Sequence, residues 1–212
     1  MTEAAFLSLK VPFTMVVAGQ TQCGKTQFVA ELIKQQNNMF DKGFSKILFC
    51  YSMMQPIYGE IQEFASNIEF CEGFPDNVPK SDENMLIIIE DMNEVTDDIR
   101  TANLFTKMRH ANISTIFITQ NLFYQGKHMR NITRNAMYIV LFPNFRDRSM
   151  ISTLGRQIWP KKPKFLETAF EIATTDKPYH YLFIDLKPTT PEILRVRDCI
   201  FPHELSGIYI PQ

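Results

Sequence analysis

The segment AGQTQCGKTQF (residues 18–28) determines how the rest of this sequence is interpreted. It contains the pattern G-x-x-x-x-G-K-[ST], which binds phosphate when a strand precedes it and a helix follows it. TMVVA (14–18) predicts a buried strand before the pattern, and KTQFVAELIKQQ (25–36) has the apolar spacing of an amphipathic helix. Both parts of the required context are present, which favours a phosphate-binding loop over a chance match in a turn.

The residue types in this loop suit a nucleoside triphosphate. Glycines let the backbone come close to phosphate oxygens, and the backbone N–H groups at the start of a helix attract negative charge. Lys25 is expected to reach the β- and γ-phosphates, and Thr26 is expected to hold Mg²⁺. We expect ATP and Mg²⁺ to bind the loop residues, which are Gly19, Gln20, Thr21, Gln22, Cys23, Gly24, Lys25 and Thr26.

Polar residues end two apolar strands farther along the chain. MLIIIED (85–91) ends in Glu90 and Asp91, and STIFITQ (114–120) ends in Gln120. In open α/β sheets, ligands bind at the carboxyl ends of the strands. By position, Glu90 would hold Mg²⁺ and Asp91 would activate the attacking water, although the longer Glu90 side chain leaves the reverse assignment open. Gln120 would contact the γ-phosphate or the water, and its alternative is an ordinary amide at a strand end.

The order of the apolar runs predicts the fold. Strands are expected at KILFCYS (46–52), NIEFCEG (67–73), MLIIIED, STIFITQ and YIVLF (138–142), with helical stretches between them. Nearly continuous apolar strands that alternate with helices indicate a mostly parallel central sheet with helices on both faces. Two further helices and a C-terminal strand pair, YLFIDLK (181–187) with ILRVRDC (193–199), complete the pattern. We therefore expect one α/β P-loop NTPase domain over residues 1–212, and the resemblance given below implies its RecA-like, additional-strand (ASCE) form.

Composition limits the partners and the compartment. The net charge of −1 excludes attraction to nucleic acid by bulk charge, so any DNA contact must come from local patches. The four cysteines form no Cys-x-x-Cys pair, and no apolar run approaches the roughly 20 residues that span a bilayer. The four histidines have no metal-ligand spacing, so Mg²⁺ with nucleotide is the only metal expected. A soluble intracellular protein is the expectation.

Two short basic clusters are candidates for contact with DNA phosphates. One lies in QGKHMRNITR (125–134) and the other in PKKPK (160–164), where the prolines predict an extended, exposed segment. The alternative for both is an ordinary solvated surface. The candidate DNA-binding residues are Lys127, Arg130, Arg134, Lys161, Lys162 and Lys164.

These motifs together resemble a known group of motors. A P-loop, an apolar strand with paired acids and a strand that ends in Gln occur in this order in the FtsK–HerA division of P-loop NTPases. Residues 108–151 contain TQNLF, NITRNAMYIVLF and FRDR in this order. That segment is similar to the genome-packaging ATPases of Polinton (Maverick)-like elements and adintoviruses, and more distantly to poxvirus packaging ATPases. The likeness covers about 13–150 and is weaker as far as roughly 187.

The resemblance implies an activity and a set of partners. Members of the family translocate double-stranded DNA into preformed capsids, as homo-oligomeric rings that work with viral capsid or portal proteins and without a membrane. For this chain we expect a location in the host cell, in the nucleus or a cytoplasmic virus factory, with association with the virion as a further option. A trans-acting arginine is expected in such rings, and Arg109 is the first candidate. The alternatives for this role are Arg130, Arg134, Arg146 and Arg148.

Two other functions use similar motifs. A nucleotide kinase also has a P-loop and a parallel sheet, but it adds an Arg-rich lid, which is not evident in this sequence. A nucleotide-switched assembly protein would bind ATP with slow turnover that is insensitive to DNA. The paired acids beside the P-loop and the strand that ends in Gln favour the motor over both.

Overall fold

The computed structural model describes residues 8–77, 83–92, 95, 97–107, 111–175 and 178–211, and within these residues one nine-stranded sheet forms the centre of the fold. The strands are β1 (Thr14–Ala18), β2 (Lys46–Tyr51), β3 (Ile68–Glu72), β4 (Met85–Glu90), β5 (Ile113–Thr119), β6 (Tyr138–Leu141), β7 (Leu182–Asp185), β8 (Val196–Arg197) and β9 (Ile208–Tyr209). Across the sheet they lie in the order β3-β2-β4-β5-β1-β6-β7-β8-β9.

The strands from β3 to β6 pair in parallel, as the alternation of apolar runs and helical stretches predicted. Strand β5 lies between β1 and β4, with Thr119 opposite Ala18 and Ile118 opposite Glu90. One additional strand therefore separates the strand that leads into the phosphate loop from the strand that ends in the paired acids. This is the arrangement expected of the additional-strand class.

The last three strands are antiparallel. Leu182 at the start of β7 pairs with Leu141 at the end of β6, so the chain enters β7 at the carboxyl edge of the parallel strands. Strands β7 and β8 form the predicted C-terminal pair, and β9 adds a third short strand. Strand β9 was not predicted, because two residues are too short to show an alternating pattern.

Helices cover both faces of the sheet. They are α1 (Lys25–Lys34), α2 (Gln36–Met39), α3 (Ile57–Phe64), α4 (Ile99–Thr106), α5 (Met129–Arg134), α6 (Ser149–Ile158) and α7 (Phe165–Thr174). On one face the buried core includes Phe28 of α1 and Tyr58 of α3. On the other face it includes Leu104 of α4 and Leu166 of α7. The parallel strands β1, β4, β5 and β6 are buried along their whole length because both of their faces are covered, whereas the edge strand β3 is partly exposed.

The segment PKKPK does not have the predicted extended conformation. The N–H of Lys162 donates to the carbonyl of Trp159 at 2.9 Å, and the N–H of Phe165 donates to the carbonyl of Lys162 at 3.1 Å. These hydrogen bonds form consecutive turns, because the chain must reverse between the packed helices α6 and α7. Proline is as compatible with such turns as with an extended chain. The three lysines are exposed, as predicted.

Every helix among the described residues is too short or too polar to cross a bilayer.

Candidate functional site

The phosphate loop connects the carboxyl end of β1 to the start of α1. The N–H of Gly19 donates to the carbonyl of Thr119 at 3.2 Å, which ties the loop to the end of β5. Gln22 and Gly24 have left-handed backbones, with φ of 63° and 103°. Such conformations turn successive N–H groups toward the inside of a loop, and concavities of this kind bind anions.

The amino terminus of α1 opens into this loop. Gly24 precedes the helix and has no side chain to cap it, and the first turn contains no acidic residue. The first N–H groups of a helix have no partner within the helix, so an uncapped start attracts phosphate. Two predicted nucleotide contacts, Thr21 and Gln22, are exposed, whereas Cys23 is buried. Burial raises the pKa of the Cys23 thiol, although the Lys25 ammonium opposes this shift.

Lys25 lies inside the loop. Its side chain is buried, and its Nζ donates to the carbonyl oxygens of Gly19 at 2.9 Å and Gln20 at 2.8 Å. The ammonium therefore connects the end of the loop to its start at Gly19 and Gln20. A phosphate in the loop would offer stronger acceptors at the same place, because hydrogen bonds between charged groups are about twice as strong as neutral ones.

Glu90 is buried at the end of β4, where both of its carboxylate oxygens are engaged. Oε1 accepts a short hydrogen bond from the hydroxyl of Thr26, and Oε2 accepts one from the hydroxyl of Tyr58 at 2.7 Å. Burial raises the pKa of Glu90, and the hydrogen bonds from Thr26 and Tyr58 oppose this shift. The predicted pair Thr26 and Glu90 is thus in direct contact, although 64 residues separate the two in the sequence.

Asp91 follows Glu90 directly after the end of β4. Its backbone is left-handed, with φ of 48°, and its N–H donates to the carbonyl of Ile118 at 3.1 Å. Among the described residues, the Oδ1 atom of Asp91 is buried without a hydrogen-bond partner. A buried carboxylate oxygen without a partner is costly, so this atom is suited to a group that binds here.

Gln120 is exposed and comes one residue after the end of β5, so it lies between the phosphate loop and Asp91 on the same sheet edge. Its carbonyl oxygen accepts a hydrogen bond from Asn144 Nδ2 at 3.3 Å. The next residue, Asn121, is fixed by a hydrogen bond from its Nδ2 to Asp147 at 3.2 Å. The exposed Gln120 side chain is therefore available to a ligand at this edge.

The donor atoms near the loop suit Mg²⁺. The Thr26 hydroxyl and the Glu90 carboxylate are hard oxygen ligands, and their contact places them close enough to share one ion. Within the described ranges, no three His, Cys, Asp or Glu side chains lie close enough to hold a metal. Mg²⁺ usually binds through one or two protein oxygens together with substrate phosphates, and this pair fits that mode.

The candidate DNA contacts lie on two separate segments. Lys127, Arg130 and Arg134 are exposed in and before α5, and Lys161, Lys162 and Lys164 are exposed in the turn between α6 and α7. Lys162 Nζ also donates to the carbonyl of Pro211 at 2.9 Å. Of the candidate trans-acting arginines, Arg146 and Arg148 are exposed after β6. Arg109 lies outside the described residues.

Sequence reasoning missed Tyr58, which is buried between α3 and the sheet. Its ring packs against Phe49 and Tyr51 of β2 and Phe70 of β3, with centroid distances of 5.1, 5.2 and 5.1 Å. Nothing in the local sequence links this tyrosine to a carboxylate 32 residues downstream. Only the position of α3 beside the end of β4 brings the two together.

Substitution of Gly19 by alanine is expected to destabilise the fold by about 1–3 kcal/mol, as overpacking does elsewhere. The added Cβ would lie 2.5 Å from Phe142 Cβ and 2.8 Å from Cys23 Sγ. Gly59 in α3 is a matched control, because no atom lies within 4 Å of its added Cβ. Gly59→Ala should stabilise the protein by about 0.5–1 kcal/mol. Urea denaturation measures both changes, and equal stability of the two variants would contradict the steric argument.

The fold and the arrangement of its edge define a class of protein. A mostly parallel sheet with helices on both faces, a phosphate loop after β1 and an additional strand between β1 and β4 make this the α/β fold of RecA-like P-loop NTPases. Solved P-loop NTPase structures match the chain over almost its whole length.

Two of these matches are structures of the genome packaging NTPase B204 from Sulfolobus turreted icosahedral virus 2. The complex with AMPPCP has a TM-score of 0.54 and 16% identity, and it covers 95% of this chain and 98% of B204. The complex with ATP-gammaS has a TM-score of 0.51 and 15% identity, covering 94% and 98%. EssC (ATPases 2 and 3) from Geobacillus thermodenitrificans has a TM-score of 0.57 and 10% identity, and it covers 94% of this chain and 40% of EssC.

At these identities the likeness concerns the fold. No protein-family model matches the sequence, and no curated protein matches it.

Proposed function

We propose that this chain is the ATP-hydrolysing subunit of a motor that moves double-stranded viral DNA into capsids. The observation that supports hydrolysis most directly is the contact between Thr26 and Glu90 at the mouth of the phosphate loop. The packaging role is supported by the resemblance of residues 108–151 to the packaging ATPases of Polinton-like elements and adintoviruses. The fold that the chain shares with the packaging NTPase B204 is consistent with this role.

In this proposal each residue at the sheet edge has a defined task. Backbone N–H groups of the loop and of α1 bind the phosphates, and Lys25 moves from the loop carbonyls to the β- and γ-phosphates. The free Oδ1 of Asp91 accepts the proton of the attacking water, and Gln120 orients that water or the γ-phosphate. Water attacks the γ-phosphorus, the bond to the β-phosphate oxygen breaks, and ADP and phosphate leave.

Thr26 and Glu90 would hold Mg²⁺ beside the loop. Mg²⁺ bound there neutralises negative charge on the β- and γ-phosphates. Tyr58 keeps the Glu90 carboxylate turned toward Thr26, so that one oxygen stays available to the ion. Burial raises the pKa of Glu90, and a bound cation would oppose this shift.

We infer that subunits form a ring around DNA, as one ATPase domain each, in the infected host cell. Contacts from Lys127, Arg130, Arg134 and the lysines of PKKPK would go to phosphates, which carry no sequence information and suit any genome. We propose that Arg109 acts in trans on the nucleotide of a neighbouring subunit. Capsid or portal proteins are the proposed docking partners.

The proposal predicts ATP hydrolysis that double-stranded DNA stimulates several-fold. Wild type and Lys25→Ala should be compared with and without DNA, over a range of protein and salt concentrations. Stimulation that grows with protein concentration, falls with salt and is absent in Lys25→Ala would support a DNA-dependent ring. Turnover that requires a phosphate acceptor would instead indicate a kinase. Tight nucleotide binding with slow turnover that ignores DNA would indicate a switch, and either result would contradict the motor.

A further inference from the structure

We infer that Tyr179 is the platform on which the base of the bound nucleoside triphosphate stacks. This inference rests on the proposal that the phosphate loop binds a nucleoside triphosphate. It assigns a contact to the base of the nucleotide, for which the sequence contained no motif.

The direction of the nucleotide follows from the positions of Thr26 and Glu90. In the proposed function these residues would hold Mg²⁺, so the γ-phosphate would lie on their side of the loop. In the sheet, Glu90 ends β4, two strands to one side of β1. The nucleoside must therefore leave the loop toward the other side, where β6 and β7 lie.

Tyr179 is located on that side and at the correct edge. It precedes β7 by three residues, and Leu182 at the start of β7 pairs with Leu141 at the end of β6. Leu141 in turn lies opposite Ala18, the last residue before the phosphate loop. The segment that carries Tyr179 thus approaches the same carboxyl edge from which the loop projects.

Tyr179 is in contact with the loop itself. A Cβ added to Gly24 would lie 3.3 Å from both Cβ and Cδ1 of Tyr179, and 3.5 Å from Cε1 of the Phe142 ring. Tyr179 is nevertheless 67% exposed. One edge of its ring is therefore positioned against the loop, and most of the ring remains open to a ligand.

The backbone at Tyr179 is unusual for a bulky residue. Its φ of 64° is left-handed, a conformation that costs energy in residues other than glycine and that is frequent at ligand sites. The aromatic side chain lies exposed beside Gly24. Burial in the core would give it a larger hydrophobic gain. A strained, exposed aromatic ring against a phosphate loop is well suited to stack on a base.

The chemistry of stacking defines which ligands the site accepts. Every base has a π-face, so stacking on an aromatic ring tolerates changes of base, and it needs the ring and not the hydroxyl. Tyr179→Phe should therefore bind nucleotide like the wild type. Inorganic tripolyphosphate, which has the phosphates and no base, should bind independently of Tyr179.

The test is the dissociation constant of each variant for MgATP, MgGTP and magnesium tripolyphosphate, measured by calorimetry. Tyr179→Ala should weaken MgATP and MgGTP binding by about tenfold, the effect of losing one base stack, and leave tripolyphosphate binding unchanged. Tyr124→Ala is the matched control, because Tyr124 is also exposed but follows β5, on the γ-phosphate side of β1. It should bind all three ligands like the wild type.

Two results would overturn the inference. If Tyr179→Ala binds MgATP like the wild type, the ring does not contact the base. If it loses affinity for tripolyphosphate and MgATP equally, Tyr179 only supports the loop through Gly24. Failure of the proposed function gives a different result, in which wild type and Lys25→Ala bind MgATP equally or not at all.

Discussion

Substitution of Asp91 by asparagine is expected to lower kcat for ATP hydrolysis by about 10²- to 10⁴-fold, the usual contribution of a general base, with little change in MgATP affinity. The amide keeps an oxygen where the buried Oδ1 now lies, but it cannot take a proton from water. Asparagine also tolerates the left-handed backbone at this position, so the loop after β4 should keep its shape. Steady-state hydrolysis and equilibrium nucleotide binding measure the two effects separately.

Two further variants test whether the loss of kcat is specific to Asp91. Asp76→Asn removes a carboxylate whose side chain is fully exposed, and it should hydrolyse ATP like the wild type. Glu90→Gln should instead raise the Mg²⁺ concentration that hydrolysis requires, because it weakens a ligand of the ion. If Asp91→Asn stays active, and Glu90→Gln has a low kcat that added Mg²⁺ does not raise, the two acids have the reverse roles.

The sequence predicts the local parts of this site well, because each part is encoded in a short segment. The phosphate loop needs Gly19, Gly24, Lys25 and Thr26 at fixed spacing between a strand and a helix, and every element of that context is visible in the sequence. The central parallel strands are equally visible, since burial on both faces makes them largely apolar, whereas the edge strand β3 is partly exposed and has a weaker pattern. The sheet edge at which the site lies is also predictable, because parallel strands bring their carboxyl ends to the same edge.

The remaining parts depend on contacts between distant segments. The position of β5 between β1 and β4 depends on the order of the strands across the whole sheet, which no single segment encodes. It was expected only because the predicted additional-strand class has this order. Tyr58 meets Glu90, and Tyr179 meets Gly24, only because α3 and the start of β7 arrive at the same edge. The turn in PKKPK was mispredicted because proline fits turns and extended chain alike, and the packing of α6 on α7 selects the turn.

Removal of one hydroxyl group in Tyr58→Phe is expected to lower ATPase activity at limiting Mg²⁺ by about 10- to 100-fold, the usual effect of losing an outer partner of a metal ligand. The Tyr58 hydroxyl donates to Glu90 Oε2 at 2.7 Å, and it is the partner that keeps Oε1 facing Thr26. Phenylalanine preserves the packing of the ring on Phe49 and Phe70. The fold should therefore remain intact, and a large excess of Mg²⁺ should restore part of the activity.

The pH dependence of this variant separates positioning from a general loss of structure. The hydrogen bond from Tyr58 lowers the pKa of Glu90 and so opposes the effect of burial. Its removal raises that pKa further, and a protonated Glu90 cannot bind Mg²⁺. The acidic limb of the activity profile should therefore move to higher pH, with the largest loss at low pH and partial recovery at high pH.

Tyr51→Phe is the matched control for this prediction. Tyr51 is buried in the same aromatic cluster, and its ring centroid lies 5.2 Å from that of Tyr58. Among the described residues, the side-chain donors to Glu90 are Thr26 and Tyr58, so the Tyr51 hydroxyl should have no effect on the Mg²⁺ requirement or the pH profile. A pH profile for Tyr58→Phe that coincides with that of Tyr51→Phe would show that Tyr58 does not position Glu90. A shift in Tyr58→Phe alone would instead identify the hydroxyl as the group that keeps the carboxylate charged and directed at the phosphate loop.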